Sequence, residues 1–182
     1  MATHVIVGVS AGIAAFKTAG LVSQLVQNGI EVSVAMTAGA TKFVGADTFA
    51  ALTGRPVALH RFDSDGFPLG AHIELARRAQ LLCVAPATAS FLGKTANGVA
   101  DDLLTTLYLA FSGPVLMAPA MNAVMWEQPA VQRNLNQLKS DGVVIVQPSS
   151  GWLSCREQGT GRMAEPQTIL QEITNRVDGS TP

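Results

Sequence analysis

The stretch HVIVGVSAGIAAFKTAGLVSQLVQNGIEVSVAMT, residues 4–37, decides the fold. HVIVGVS (4–10) is a short apolar run, rich in Val and Ile, that ends in small residues. It reads as a buried strand. Residues 11–28 place Ile13, Phe16, Leu21, Leu25 and Val26 at helical spacing, and Asn28-Gly29 supplies a left-handed stop. EVSVAMT (31–37) is a second strand. Strand, helix and strand in so short a span make a βαβ unit, with parallel strands and a right-handed crossover.

The pattern repeats along the chain. Helical spacing covers 40–53, an irregular stretch with Arg55-Pro56, Asp65-Gly66 and Phe67-Pro68 covers 54–70, and helical spacing returns over 71–79. LLCVAP (81–86), PVLMAP (114–119) and VVIVQP (143–148) are three more buried strands, each stopped by Pro. A helix is predicted over 88–110 with an interruption near Asn97-Gly98, another over 122–140 with a break at Pro129, a loop over 149–163, and a last helix from Pro166 to about 177. Five strands alternating with helices predict an α/β, doubly wound parallel sheet of flavodoxin or Rossmann type. The single domain is expected over 1–177, with a polar tail at 178–182.

The 182 residues are 48% hydrophobic and only 14% charged, which argues against disorder and for surface covered by other subunits or a cofactor. A net charge of −1 gives no electrostatic case for nucleic acid or anionic lipid. The apolar runs are broken by Pro or Gly well short of the ~18 residues of a membrane span. No signal peptide is read at residues 1–9, and Cys83 and Cys155 form neither a metal pattern nor a disulfide framework. A cytoplasmic protein with free thiols is expected.

In doubly wound sheets ligands bind beyond the carboxyl ends of the strands. Those ends carry Ser10, Thr37, Pro86-Ala87-Thr88 and Pro119-Ala120-Met121-Asn122. Gly8-Val9-Ser10-Ala11-Gly12 fits the G-x-S-x-G nucleophile elbow, but only one strand precedes it, whereas hydrolases place the elbow after several. A strand-to-helix turn of small residues is the plainer reading. The better functional one is an anion cradle of backbone N–H groups with a Ser hydroxyl beside them. With no G-x-G-x-x-G and no acidic residue for a ribose, a mononucleotide such as FMN is favoured over a dinucleotide. Taken singly, Thr88, Asn122 and His72 read as helix caps or surface residues, and Asp101-Asp102 as a capping pair. Cys83, mid-strand, reads as inert; Cys155, in a loop beside Arg156, reads as an accessible thiol. Arg156 and Arg162 suit an anionic ligand.

Together these segments resemble the flavin-dependent cysteine decarboxylases, a family that includes phosphopantothenoylcysteine and peptidyl-cysteine decarboxylases. Gly8 to Lys17 is similar to the family's flavin segment, and His72-Ile73-Glu74-Leu75 to its catalytic-His segment. Ala85-Pro86-Ala87-Thr88-Ala89-Ser90 resembles PASANT, and Pro119 to Trp126 matches PxMNxxMW in full. Ser154-Cys155 with Gly159 to Pro166 resembles the substrate clamp. The likeness covers residues 4–175. Two departures stand out: Ser90-Phe91 replaces the Asn-Thr of PASANT, and Ser154-Cys155-Arg156-Glu157 replaces Ala-Cys-Gly-Asp.

The resemblance implies FMN held by Ser10, Ala11, Gly12, Ile13, Thr37, Thr88, Ala89, Ser90 and Ala120, and no metal. It implies catalysis by His72, Asn122 and Cys155, with substrate held by Asn122, Met125, Arg162 and Met163. The implied reaction is oxidative decarboxylation of the cysteine of a small-molecule substrate, 4'-phosphopantothenoylcysteine, then reduction of the enethiol to 4'-phosphopantetheine. Asn122 would hold the substrate carboxylate and Cys155 would donate a proton. The implied partners are identical subunits in a homotrimer or a trimer-based assembly, with a functional link to the phosphopantothenoylcysteine synthetase. A peptidyl-cysteine decarboxylase and a non-catalytic flavin-binding regulator are the alternatives. The clamp cysteine speaks against the first, and the presence of both His72 and Asn122 against the second.

Overall fold

The computed structural model describes residues 3–62, 67–177 and 179. Asp65-Gly66 and, apart from Gly179, the polar tail lie outside the described residues. Five parallel strands, β1 (His4–Val9), β2 (Glu31–Met36), β3 (Leu81–Ala87), β4 (Val115–Pro119) and β5 (Val144–Ile145), form one sheet in the order β2-β1-β3-β4-β5. The chain steps outward from β1 to β2, then crosses back to β3. The order therefore reverses between β1 and β3, which is where the doubly wound rule places a ligand.

Alternation along β1 splits the core into two layers. Val5, Val7 and Val9 pack under α1 (Ala15–Gln27), α2 (Ala46–Thr53) and α8 (Pro166–Val177), with Leu21, Leu25, Phe49 and Ile169 fully buried. Ile6 faces the other way, towards α3 (Ala71–Arg78), α4 (Ala89–Ala96), α5 (Leu103–Ala110) and α7 (Pro129–Ser140), through Leu75, Leu92, Leu104 and Leu135. Burial on both faces is why these strands read as unbroken apolar runs.

The differences from the expected elements have local causes. Helix α1 begins four residues later than its apolar spacing suggests, because Ser10 to Ala14 turn tightly over the sheet edge. The long helix over 88–110 is two helices. Gly98 takes φ 67 between them, and Asp102 caps α5 in a reciprocal box with Thr105. Pro129 separates a short α6 (Ala123–Glu127) from α7. The fifth strand shrinks to Val144–Ile145, at the sheet edge. The expected loop over 149–163 is instead an antiparallel hairpin of β6 (Ser149–Trp152) and β7 (Gln158–Arg162). Its Ser- and Gly-rich strands lack β-branched alternation. They are held by contact with the end of β4, which periodicity does not reveal.

Candidate functional site

A cavity of about 840 Å³ opens at the carboxyl ends of β1, β2, β3 and β4, with the hairpin as its outer wall. The inner wall is stitched across the switch point. Ser10, 2% exposed, donates its hydroxyl to the Pro86 carbonyl at 2.7 Å and accepts from the Thr88 N–H at 3.0 Å. That hydroxyl is committed within the chain rather than presented to an anion. What Ser10 leaves open is the backbone after it. Among the described residues, the N–H groups of Ala11, Gly12, Ile13 and Ala14 have no acceptor, and α1 starts directly behind them. Gly39 packs onto this loop so closely that a Cβ there would lie 2.7 Å from the Ala11 Cβ. Beside it the Thr37 hydroxyl is buried with no partner among the described residues. Thr88 caps α4 by accepting from the Phe91 N–H at 3.4 Å, and Ala89 and Ser90 form that helix's first turn.

These groups fit FMN. Four unpaired N–H groups at a helix start, with an orphaned hydroxyl alongside, match the acceptor oxygens of a phosphomonoester. The acidic side chain in the cavity wall, Asp102, is engaged in capping α5 and lies 3.8 Å from Lys94.

The second wall begins where β4 ends. Ala120 N–H donates to the Ala87 carbonyl and Met121 N–H to the Gly161 carbonyl, at 3.1 and 2.9 Å. Gly161 sits at φ 138, and a Cβ on it would fall 2.3 Å from the Met121 carbonyl oxygen. Only glycine allows this approach, so the hairpin is docked on Met121 through position 161. Asn122 caps α6: its side-chain oxygen accepts from the Met125 N–H at 2.8 Å. The cap fixes the amide plane and leaves its NH2 as the free end, a donor for a carboxylate.

The hairpin tip carries Cys155, exposed, with its Sγ 3.7 Å from Glu157 Oε2. Cys83 is its opposite, wholly buried, its thiol pushed up to about 12 by desolvation. Arg156 adopts φ 66, the left-handed region that favours glycine, so the departure from the clamp pattern leaves a strained residue in the turn. Arg162 lies 2.8 Å from Glu165, which also binds Lys17 at 3.0 Å. The hydrogen bond from the Lys17 ammonium holds the Glu165 carboxyl below its usual range.

Most residues singled out from sequence therefore meet at one cavity: Ser10 to Ile13, Thr37, Thr88 to Ser90, Ala120, Asn122, Met125, Cys155, Arg162 and Met163. Met163 is 1% exposed and forms the floor rather than the mouth. His72 stands apart. It lies on α3, outside the lining of its own chain's cavity, with its ring edge-on to Phe62 at 6.1 Å between centroids. Its Nδ1 is buried without a partner among the described residues. Sequence reading missed Lys94, Asp102 and Trp152 as wall residues, and took in Phe16 and Lys17 only as part of the flavin segment, without a role of their own. Of these, Trp152 was detectable as a lone aromatic among Ser and Gly.

A family model described as "Flavoprotein" matches residues 1–178. The chain belongs to the flavoprotein family. It is 46% identical over 168 residues to the coenzyme A biosynthesis bifunctional protein CoaBC of Bacillus subtilis, a match covering 92% of this chain and 41% of that protein. The chain thus spans about two fifths of the length of the curated relatives it matches. Among solved structures it resembles the FMN-dependent cysteine decarboxylase SpaF at 34% identity and a TM-score of 0.84, covering 97% of each chain. It also resembles a PPC decarboxylase mutant complexed with pantothenoylaminoethenethiol, at 29% identity and a TM-score of 0.88, covering 100% of each. The flavodoxin-like sheet of this family member is shared with those neighbours, and the FMN dependence of SpaF agrees with the N–H cradle.

Proposed function

We propose that this chain binds FMN and decarboxylates the cysteine moiety of 4'-phosphopantothenoylcysteine, then completes the reduction to 4'-phosphopantetheine, a carbon–carbon lyase step of coenzyme A biosynthesis. The observation that carries this reading is the convergence of Asn122, from the end of β4, and Cys155, from the hairpin tip, on the cavity that holds the N–H cradle. Neighbours of the same fold act on cysteine or hold an enethiol analogue, and curated relatives belong to coenzyme A biosynthesis.

When bound, FMN supplies the two-electron oxidation of the thiol and the matching return of a hydride. The chain orients and protonates. The N–H groups of Ala11 to Ala14 and the Thr37 hydroxyl hold the cofactor phosphate. The Asn122 NH2 donates to the substrate carboxylate and sets which bond faces the cofactor. Arg162 attracts the anionic substrate, and Met125 packs beside it. Cys155, on the exposed side of the cavity, delivers the proton that carbon needs during reduction.

His72 is outside the lining of this cavity in its own chain, so its role requires a second copy. A homotrimer, or an assembly of trimers, brings His72 of one subunit to the cavity of the next. The exposed Phe62 and Leu69 flanking it, and the low charge content, support a covered surface there. The relatives' greater length supports a functional link to a synthetase that makes the substrate. A cytoplasmic setting follows from that pathway.

The test is product mass under anaerobic conditions. The parent protein is expected to release CO2 and yield the saturated thiol. Cys155→Ser is expected to release CO2 yet accumulate an enethiol about two mass units lighter, because an alcohol hydroxyl is a far weaker acid than a thiol. Unchanged substrate with the parent protein overturns the reading; saturated product from the variant overturns the role of Cys155 alone.

A further inference from the structure

We infer that Glu165 is a positioning residue that ties the hairpin to the helix behind the cofactor loop, so that filling the cradle steadies the clamp. The inference rests on the functional reading above. One carboxylate oxygen, Glu165 Oε1, receives both cations. Lys17 comes from the first turn of α1, immediately after the unpaired loop 11–14, and its side chain is only 12% exposed. Arg162 comes from the end of β7 and lies across to β6: a Cβ on Gly151 would sit 3.3 Å from its Nη1.

Glu165 is itself a fixed post. Its carbonyl accepts from the Thr168 and Ile169 N–H groups at 3.0 and 3.2 Å, at the head of α8, whose Ile169 and Ile173 are fully buried. Glu165 is absent from the cavity wall, so it acts only through its two partners. An ordinary surface ion pair contributes little. This one differs in two respects: the lysine side chain is largely buried, and one oxygen joins two walls that are distant in sequence.

The experiment follows trypsin cleavage after Arg156, an exposed bond at the hairpin tip, with and without FMN, by mass spectrometry, alongside FMN titration and steady-state CO2 release. In the parent, FMN is expected to slow this cleavage by about fivefold or more, the lower end of ordinary coupling between sites. Glu165→Gln is expected to lose that FMN-dependent protection. Its KM for the cysteinyl substrate should rise about tenfold with little change in kcat, and its FMN affinity should shift by no more than about fivefold. Glu165→Asp, with a shorter arm, should recover part of the protection, and it serves if the Gln variant does not fold. The inference is overturned if FMN fails to protect the parent, or if Glu165→Gln keeps both the protection and the parent KM. It is equally overturned if stability and FMN binding fall together while the protection ratio holds, the mark of a merely structural residue. A parent that releases no CO2 refutes the functional reading, while the protection ratio still decides the bridge.

Discussion

The two walls of the cavity are built by opposite means. The inner wall is an outgrowth of the core: Ser10 and the strand ends beside it are buried, and the Ser10 hydroxyl bonds β1 to β3. The outer wall is a polar hairpin whose residues 154–158 are all exposed and whose two strands form a sheet separate from the parallel one. A site of this kind separates two tasks. The cofactor side is held with the rigidity of the sheet, while the substrate side is joined to it by few contacts, among them the Lys17–Glu165–Arg162 bridge. Variants on either wall should therefore fail differently.

The largest expected effect is at Asn122, where the walls meet. Asn122→Asp keeps an oxygen for the Met125 N–H, so the α6 cap and the fold should survive. It replaces the free NH2 with an acceptor that repels the substrate carboxylate. CO2 release should fall by about 10²–10⁴-fold, with the flavin still bound; activity near the parent's would remove Asn122 from the chemistry. Next comes Gly161→Ala, which drives a methyl group into the Met121 carbonyl. Hairpin displacement of about 1 Å should cost on the order of 10² in turnover while FMN titration stays close to normal. If the flavin is lost as well, the walls are coupled far more strongly than the roughly fivefold carried by Glu165.

On the inner wall the sharper test is Thr37→Val. The Thr37 hydroxyl is buried and unpartnered, a cost of about 1–3 kcal/mol that valine removes. The cofactor-free variant should melt higher than the parent, yet bind FMN about tenfold more weakly, as loss of one charge-assisted hydrogen bond implies. Two changes of the same sign would show that the hydroxyl does not face the phosphate. The smallest effect is at the hairpin tip. Arg156→Gly relieves a left-handed conformation worth about 1 kcal/mol. A small rise in melting temperature is expected, with near-parent turnover. A fall would mean that the arginine side chain contributes more than its backbone costs.

The inner wall was legible in the sequence and the outer wall was not, for one physical reason. Val5, Val7 and Val9 face one layer and Ile6 the other, so buried parallel strands leave apolar runs that name themselves. Their ends then locate Ser10, Thr37, Thr88 and Asn122 without further information. The hairpin leaves no such trace. Its conformation depends on Gly161 meeting Met121 and on Arg162 meeting Glu165, contacts set by tertiary structure rather than by local periodicity. His72 was legible as a motif but not as a position. Its place on α3, outside the lining of its own chain's cavity, is set by tertiary structure that the motif does not carry.

Gly161 has a consequence for how such a scaffold diversifies. The hairpin adds no strand to the parallel sheet, and a backbone contact at position 161 is what seats it. A lid attached in this way is exchangeable. Its exposed residues beside Cys155, namely Trp152, Ser154, Arg156 and Glu157, can be rewritten as long as a glycine returns the chain to Met121. One flavin chassis can then be re-aimed from compact metabolites to longer chains by editing a single loop, leaving the buried layers untouched.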